Sequence, residues 1–140
     1  MSLQETLGGN ITKVAGGDIF DFKASGSVTE GRLVELNTTI TDVNTVQAAS
    51  DNSGTVIGYV DATYEANDRI RVRTAGIARL YNNSGFTISA NTLLAAGAAG
   101  TVKSYGAAGA SGMVIGHSLE SITTANFGLC FVNPTYNPKL

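Results

Sequence analysis

Apolar and polar residues in this chain alternate over short runs set apart by turn residues, rather than recurring every three or four positions. Period-two alternation marks a half-buried strand, because successive side chains of an extended backbone point to opposite faces. The clearest case is residues 55–81, TVIGYVDATYEANDRIRVRTAGIARLY. Val56, Gly58 and Val60 share one side of a first strand, with Ile57 and Tyr59 on the other. With both sides apolar, this strand is predicted to be central. Glu65-Ala66-Asn67-Asp68 turns the chain. From Arg69, alternation places Ile70, Val72 and Thr74 inward and Arg69, Arg71 and Arg73 outward. The strand is expected to run on through Gly76, a point of bulge or bend, with Ala78 and Leu80 on one face and Ile77, Arg79 and Tyr81 on the other. So long a strand with a glycine in its middle curls a sheet toward a barrel.

The rest of the chain follows the same pattern. Residues 18–25 alternate weakly, with Phe20 and Phe22 on one face. RLVEL (32–36) follows the Thr29-Glu30-Gly31 turn. NTTITDVNTV (37–46) is rich in Thr and reads as a half-exposed strand. Asp51-Asn52-Ser53-Gly54 and Asn82-Asn83-Ser84-Gly85 are turn signals. Phe86, Ile88 and Leu93-Leu94 predict short strands. AAGAAG (95–100) and GAAGASG (106–112) flank TVKSY and read as a hairpin over the surface. Residues 113–119 and 126–132 predict two closing strands. In the last, Phe127, Leu129 and Phe131 alternate with Cys130 and Val132, so burial on both faces is expected. The tail, 133–140, holds both prolines, Pro134 and Pro138, and cannot extend a sheet. The best helical stretch, SLESITTA (118–125), is short and rich in Ser and Thr. Many short strands joined by polar turns predict an all-β barrel or sandwich.

Two halves of the chain resemble one another. Val56-Ile57-Gly58-Tyr59 returns as Val114-Ile115-Gly116-His117, 58 residues later. Gly31-Arg32-Leu33-Val34 has the shape of Asn91-Thr92-Leu93-Leu94 at an offset of 60, and Ala66-Asn67 that of Ala125-Asn126 at 59. Chance likeness among strand-rich segments and a true duplication both fit this pattern. Under duplication, the two halves are expected to pair into one closed barrel without free edges.

Charge and composition narrow the function classes. The chain has 140 residues, is 43% hydrophobic and only 14% charged, with a net charge of −2. The size is that of one ordinary domain. The sparse charge implies a surface of Ser, Thr, Asn, Gly and Ala that neighbours can cover. No basic stripe is present for nucleic acid. No apolar run approaches the ~20 residues of a membrane span. The N-terminus MSLQETLGG lacks the basic and apolar regions of a signal peptide, so synthesis in a cytoplasm is expected. Residues 1–17 form an arm in which Leu3, Leu7, Ile11 and Val14 are spaced apolar anchors between the pairs Gly8-Gly9 and Gly16-Gly17. Such an arm is either a frayed terminus or a segment that orders on a partner.

No catalytic set emerges. One histidine, His117, and one cysteine, Cys130, cannot supply the three or four N/S ligands of a metal site. There is no phosphate-binding glycine loop followed by Lys and no nucleophile elbow. Asp18 with Asp21, or Asp51 with Asp61, are explained as turn and strand-edge residues. His117 lies at the position of Tyr59, and Cys130 in an apolar run reads as a small buried hydrophobe. No cofactor and no small-molecule substrate are expected. The row Arg69, Arg71, Arg73 is the strongest surface feature, read either as a solvated strand face or as a contact with acidic groups on a partner or neighbouring subunit.

The order TEGRLVEL, VIGYVDATYEANDRIRVRTAGIARL, ISANTLLAAGAAGTVKSYG, MVIGHSLESITTA and FGLCFV, spanning residues 28–132, resembles the capsid decoration, or head-stabilising, proteins of tailed phages. The shared pattern is one of glycines and aliphatic residues. Asn67-Asp68 departs from it where a glycine often stands, and His117 is not part of it. The resemblance implies a β-tulip-like barrel over 18–132 with an extended N-terminal arm, assembling as a homotrimer on the outer surface of an icosahedral shell. It implies the major capsid protein as partner, bound through the arm and by strand addition, with no nucleic acid or membrane involved. A competing reading is a receptor- or glycan-binding module of a tail or fibre, and a further one is a small hydrolase. The scattered Tyr residues, the absence of Trp and the lack of a nucleophile–base pair disfavour these two readings.

Overall fold

The structure, a computed structural model, describes residues 19–37, 44–106 and 112–134. The strands among them are β1 (Ile19–Ala24), β2 (Arg32–Leu36), β3 (Thr45–Ala48), β4 (Val56–Val60), β5 (Arg69–Arg73), β6 (Gly76–Asn82), β7 (Leu93–Ala96), β8 (Val102–Ser104), β9 (Gly116–Ser118) and β10 (Asn126–Val132). One turn of 3-10 helix, Ala98–Gly100, precedes β8. The arm residues Leu3, Leu7, Ile11 and Val14, the segment 38–43 and most of the C-terminal tail lie outside the described residues.

The all-β barrel fold with two similar halves is what the structure shows, but each half closes by itself. Strands pair in the order β1-β3-β2-β4-β5, with β5 returning to β1, and again in the order β6-β8-β7-β9-β10, with β10 returning to β6. The two halves therefore do not combine into one barrel, contrary to the expectation from the sequence pattern. The reason lies at Thr74-Ala75-Gly76. The expected continuous strand ends at Arg73 and restarts at Gly76, whose φ of +136° lets the chain leave one wall and enter another.

Strand pairing establishes the duplication residue by residue. Leu33 faces Tyr59, and Leu93 faces His117; Tyr59 faces Arg73, and His117 faces Phe131. Ala24 sits beside Val46 in the parallel pair of the first barrel, as Asn82 does beside Val102 in the second. Lone bridges join Val28 to Tyr64 and Ile88 to Ile122. Two of the three sequence offsets hold. The third slips by one: Asn67 donates its N–H to Ala24 O, and the matching donor is Ala125 to Asn82 O. Both residues have positive φ, 73° and 63°, so backbone conformation and not residue type is what repeats there.

The first barrel is filled by Ala24, Val28, Val34, Val46, Val60, Ile70 and Val72, all buried. At ~1.5–3 kcal/mol for each fully buried large aliphatic chain, this cluster outweighs the surface ion pairs at ~0–1 kcal/mol each. In the second barrel the positions of Ala24 and Val60 hold Asn82 and Ser118, both fully buried. Each is satisfied. Asn82 Nδ2 donates to Phe86 O (2.8 Å) and Ile122 O (2.9 Å), and its Oδ1 accepts from Ser84 N (2.9 Å). Ser118 Oγ donates to Ser89 O (2.7 Å) and accepts from Thr92 N (3.0 Å). These bonds tie down loops that the first barrel holds by apolar packing.

Three further expectations change. Phe86 and Ile88 form no strand; Ile88 makes only its lone bridge, because the loop backbone bonds to Asn82 instead. The Ala/Gly-rich stretch does form a hairpin, β7 pairing antiparallel with β8, but not on the surface: Ala95, Ala96 and Gly100 are buried, where small side chains permit close approach, and residues 107–111 lie outside the described residues. The closing strand β10 is buried on one face only, through Gly128, Cys130 and Val132, and Phe127, Leu129 and Phe131 are exposed.

Candidate interaction surface

The barrels meet through the outer face of β2 and β4 on one side and the β7–β8 region on the other. Leu33, Ala49, Val56 and Tyr59 share a buried cluster with Ala78, Ala96, Met113 and Ile115. Backbone bonds cross the junction from Gly100 N to Ala49 O (2.7 Å), Asn52 N to Ala96 O (3.0 Å) and Tyr81 N to Gly31 O (3.3 Å). Asp51 pairs with Lys103 at 2.7 Å. Arg32 lies over Tyr81, 4.4 Å from the ring centroid, with Phe127 set edgewise against Tyr81 at 5.1 Å. Gly31 is required here: its φ is +73° and a Cβ would fall 2.6 Å from Phe127.

Beside this junction runs a groove of about 610 Å3 lined by Glu30, Tyr59, Asp61, Arg73, Arg79 and Phe127 among others. Its charges are partly neutralised internally, since Arg73 Nε donates to Asp61 Oδ2 at 2.6 Å. Burial pushes the Tyr59 phenol up, as does nearby Asp61, against the opposing effect of Arg73. The groove therefore offers a neutral phenol and an ion pair, with no nucleophile beside a base.

The arginine row lies on the outer wall of β5. Arg69 and Arg71 are exposed, and Arg73 is half-buried. Arg69 pairs loosely with Asp21 (3.7 Å), and Arg71 faces Asp21 across the β1–β5 ladder. Duplication gives this row a counterpart: Phe127, Leu129 and Phe131 on β10. The same outward positions are basic in one barrel and apolar in the other.

One residue per strand then forms a continuous apolar row across the second barrel. Leu93, His117, Phe131 and Ile77 are successive partners on β7, β9, β10 and β6. Leu93 is 52% exposed, Phe131 38% and Ile77 64%. The His117 and Phe131 rings lie 5.6 Å apart. The sequence pattern does not single out this row. Its signal was the repeat: β10 positions that map onto three outward arginines must themselves face outward.

Among the described residues no group of three or more His, Cys, Asp and Glu gathers as a metal site. Asp51 and Asp61, considered as a carboxylate pair, are each bound to a cation, Lys103 and Arg73. Cys130 is buried, and burial pushes its thiol up to about 12, so it is neutral across the physiological range.

No protein-family model and no curated protein matches this chain. Among solved structures it is similar to the head fiber gp8.5 N base of bacteriophage phi29, with a TM-score of 0.63 and 17% identity, covering 83% of this chain and 93% of that one. The likeness is one of fold, and it takes in both barrels.

Proposed function

We propose that this chain is a structural protein of a phage virion that binds the outer surface of an icosahedral head as a trimer and stabilises the shell by bridging major capsid subunits. The observation that carries the proposal is the shared fold with the base of a head fibre, over most of both chains. That structure belongs to a head fibre, which supports a head over a tail location and fits the fibre half of the competing reading as well. The outer faces described above are contact surfaces rather than reaction sites, and the protein is read as non-enzymatic. In this reading the arm anchors, Leu3, Leu7, Ile11 and Val14, bury themselves in the shell, and Arg69, Arg71 and Arg73 meet acidic groups on the capsid or a neighbouring subunit. Three copies acting together turn weak identical contacts into firm attachment.

The test is co-sedimentation of the purified protein with heads lacking it, followed by imaging of the decorated particles. Regular density on the outer surface is expected, with greater resistance of the heads to heat. Heads that leave the protein unbound, or that bind it only at the tail, overturn the reading. Deleting residues 1–16 is expected to weaken binding strongly while the melting temperature stays unchanged; undiminished binding removes the arm from the mechanism.

A further inference from the structure

The duplication places the same surface in two different situations. In the first barrel, Leu33 and Tyr59 are buried, at 0% and 4% exposure, because the second barrel sits on them. Their counterparts Leu93 and His117 carry no barrel. Ala49 and Tyr105 are likewise equivalent, each donating its N–H to the carbonyl of the paired leucine, Leu33 at 2.9 Å and Leu93 at 2.7 Å. Ala49 is fully covered and Tyr105 is partly open.

The opposite face shows the same asymmetry. The second barrel receives the first through Ala78, Ala96, Tyr81 and Phe127. The matching positions of the first barrel hold Phe20, Leu36, Lys23 and Arg69. Phe20 is 50% exposed and Leu36 is exposed as well.

We infer that the Leu93 face of one copy docks on the Phe20 face of another copy, in the arrangement of the junction that joins the barrels within a chain but set farther apart, since Phe20 and Leu36 stand where that junction has Ala78 and Ala96. The occupant is thus the first barrel of a second copy. Charge supports the pairing. Inside the chain Arg32 stacks on Tyr81 and Phe127. In the first barrel those two ring positions are Lys23 and Arg69, so an arginine arriving at Arg32's place would meet two cations. The second barrel presents Thr92 there instead. The apolar groups match too: Leu93 and Phe131 on one face meet Phe20 and Leu36 on the other. The contact is head-to-tail, so copies close into a ring or continue as a filament. It specifies how the proposed self-association forms, but it is read on purified protein without heads, so failure of head binding leaves it standing.

The experiment is sedimentation velocity of the full chain, with charge-swapped variants at two exposed or half-exposed positions, Thr92 and Lys23. The unaltered chain is expected to form oligomers. Thr92→Arg is expected to raise the dissociation constant roughly tenfold or more, by like-charge repulsion against Lys23 and Arg69. Lys23→Glu in the same chain is expected to restore association. As a second readout, Thr92→Cys and Lys23→Cys chains are mixed with a short bismaleimide. Crosslinks are expected between the two variants and not within either one, with Cys130 silent because it is buried. A chain that stays monomeric at its highest attainable concentration overturns the inference. So do oligomers indifferent to Thr92→Arg, or crosslinks within a single variant. Association lost on deleting residues 1–16 also overturns it, because the arm would then be the occupant.

Discussion

Ile122 occupies the space that a side chain at Gly128 would need: a Cβ built on Gly128 falls 2.3 Å from Ile122 Cγ1. The first barrel solves the same filling problem the other way round. There the Gly128 position is Ile70, fully buried, and the Ile122 position is Tyr64, which is half-buried at the rim. Interior volume has moved from one strand to a neighbouring loop while the barrel stayed closed. Ile122→Ala is expected to cost about 2–5 kcal/mol through the cavity it leaves. Gly128→Ala is expected to cost about 1–3 kcal/mol through overpacking. Combined, they should cost clearly less than the two losses added, because each relieves the other. Urea unfolding of the four proteins in the cycle measures this, and strict additivity would refute the packing relationship.

Gly58 and Gly116 are the repeated glycines of the two VIG segments, and the structure gives them one reason. A Cβ at Gly58 would lie 2.1 Å from Arg73 O, and one at Gly116 would lie 1.9 Å from Phe131 O. These are backbone atoms in closing strands and cannot step aside cheaply. Gly58→Ala and Gly116→Ala are each expected to lose about 3 kcal/mol, against less than about 0.5 kcal/mol for Gly26→Ala, which meets nothing within 4 Å. Chemical denaturation of the three variants side by side is the check.

Glu35 is expected to contribute to the acid limb of stability. It is buried, with Gln47 Nε2 donating at 2.7 Å and Ser50 N at 3.1 Å. Burial by itself raises its pKa, but hydrogen bonds from Ser53, Gln47 and Ser50 outweigh burial and hold the carboxyl below its usual 4.5. A folded-state pKa below the unfolded one adds stability that is present above the unfolded value and is lost as pH falls through the folded value. Thermal melts should therefore drop as pH falls below about 4.5. Glu35→Gln should be about 1.5–3 kcal/mol less stable at neutral pH, with a flatter acid limb. An unchanged acid limb in the variant would assign the transition to other groups.

Cys130 tests closure of the second barrel. With its thiol buried and pushed up to about 12, it should resist iodoacetamide and disulfide reagents at pH 8 in the native protein. In denaturant, where the thiol is free, labelling should become complete. Rapid native labelling would mean that β10 opens from β6 on the labelling timescale.

Much of this fold was legible in the residues themselves. Alternation identified β2 and β5, because a strand writes its two faces into every second position, while β4 and β10 were legible only as short apolar runs between turns. The outward placement of Arg69 and Arg71 was equally local, since charge is excluded from a closed interior. The 58-residue offset was also visible, because Gly58 and Gly116 have no substitute where a carbonyl comes so close. The slipped third offset shows the limit: Asn67 and Ala125 share a left-handed backbone and no side-chain chemistry.

What the sequence by itself determined was the class of fold, the inward side of β5 and the offsets that raise a duplication, all of which rest on period-two patterning and on glycine. Tertiary structure alone decided that each half closes separately, because closure depends on β5 returning to β1 and β10 to β6, pairings that join strands far apart in the chain. It also decided which apolar residues are covered. Leu33 and Leu93 are the same residue type at the same place in the same fold. One is buried and the other exposed only because the second barrel rests on the first, a relationship between surfaces that local sequence does not encode.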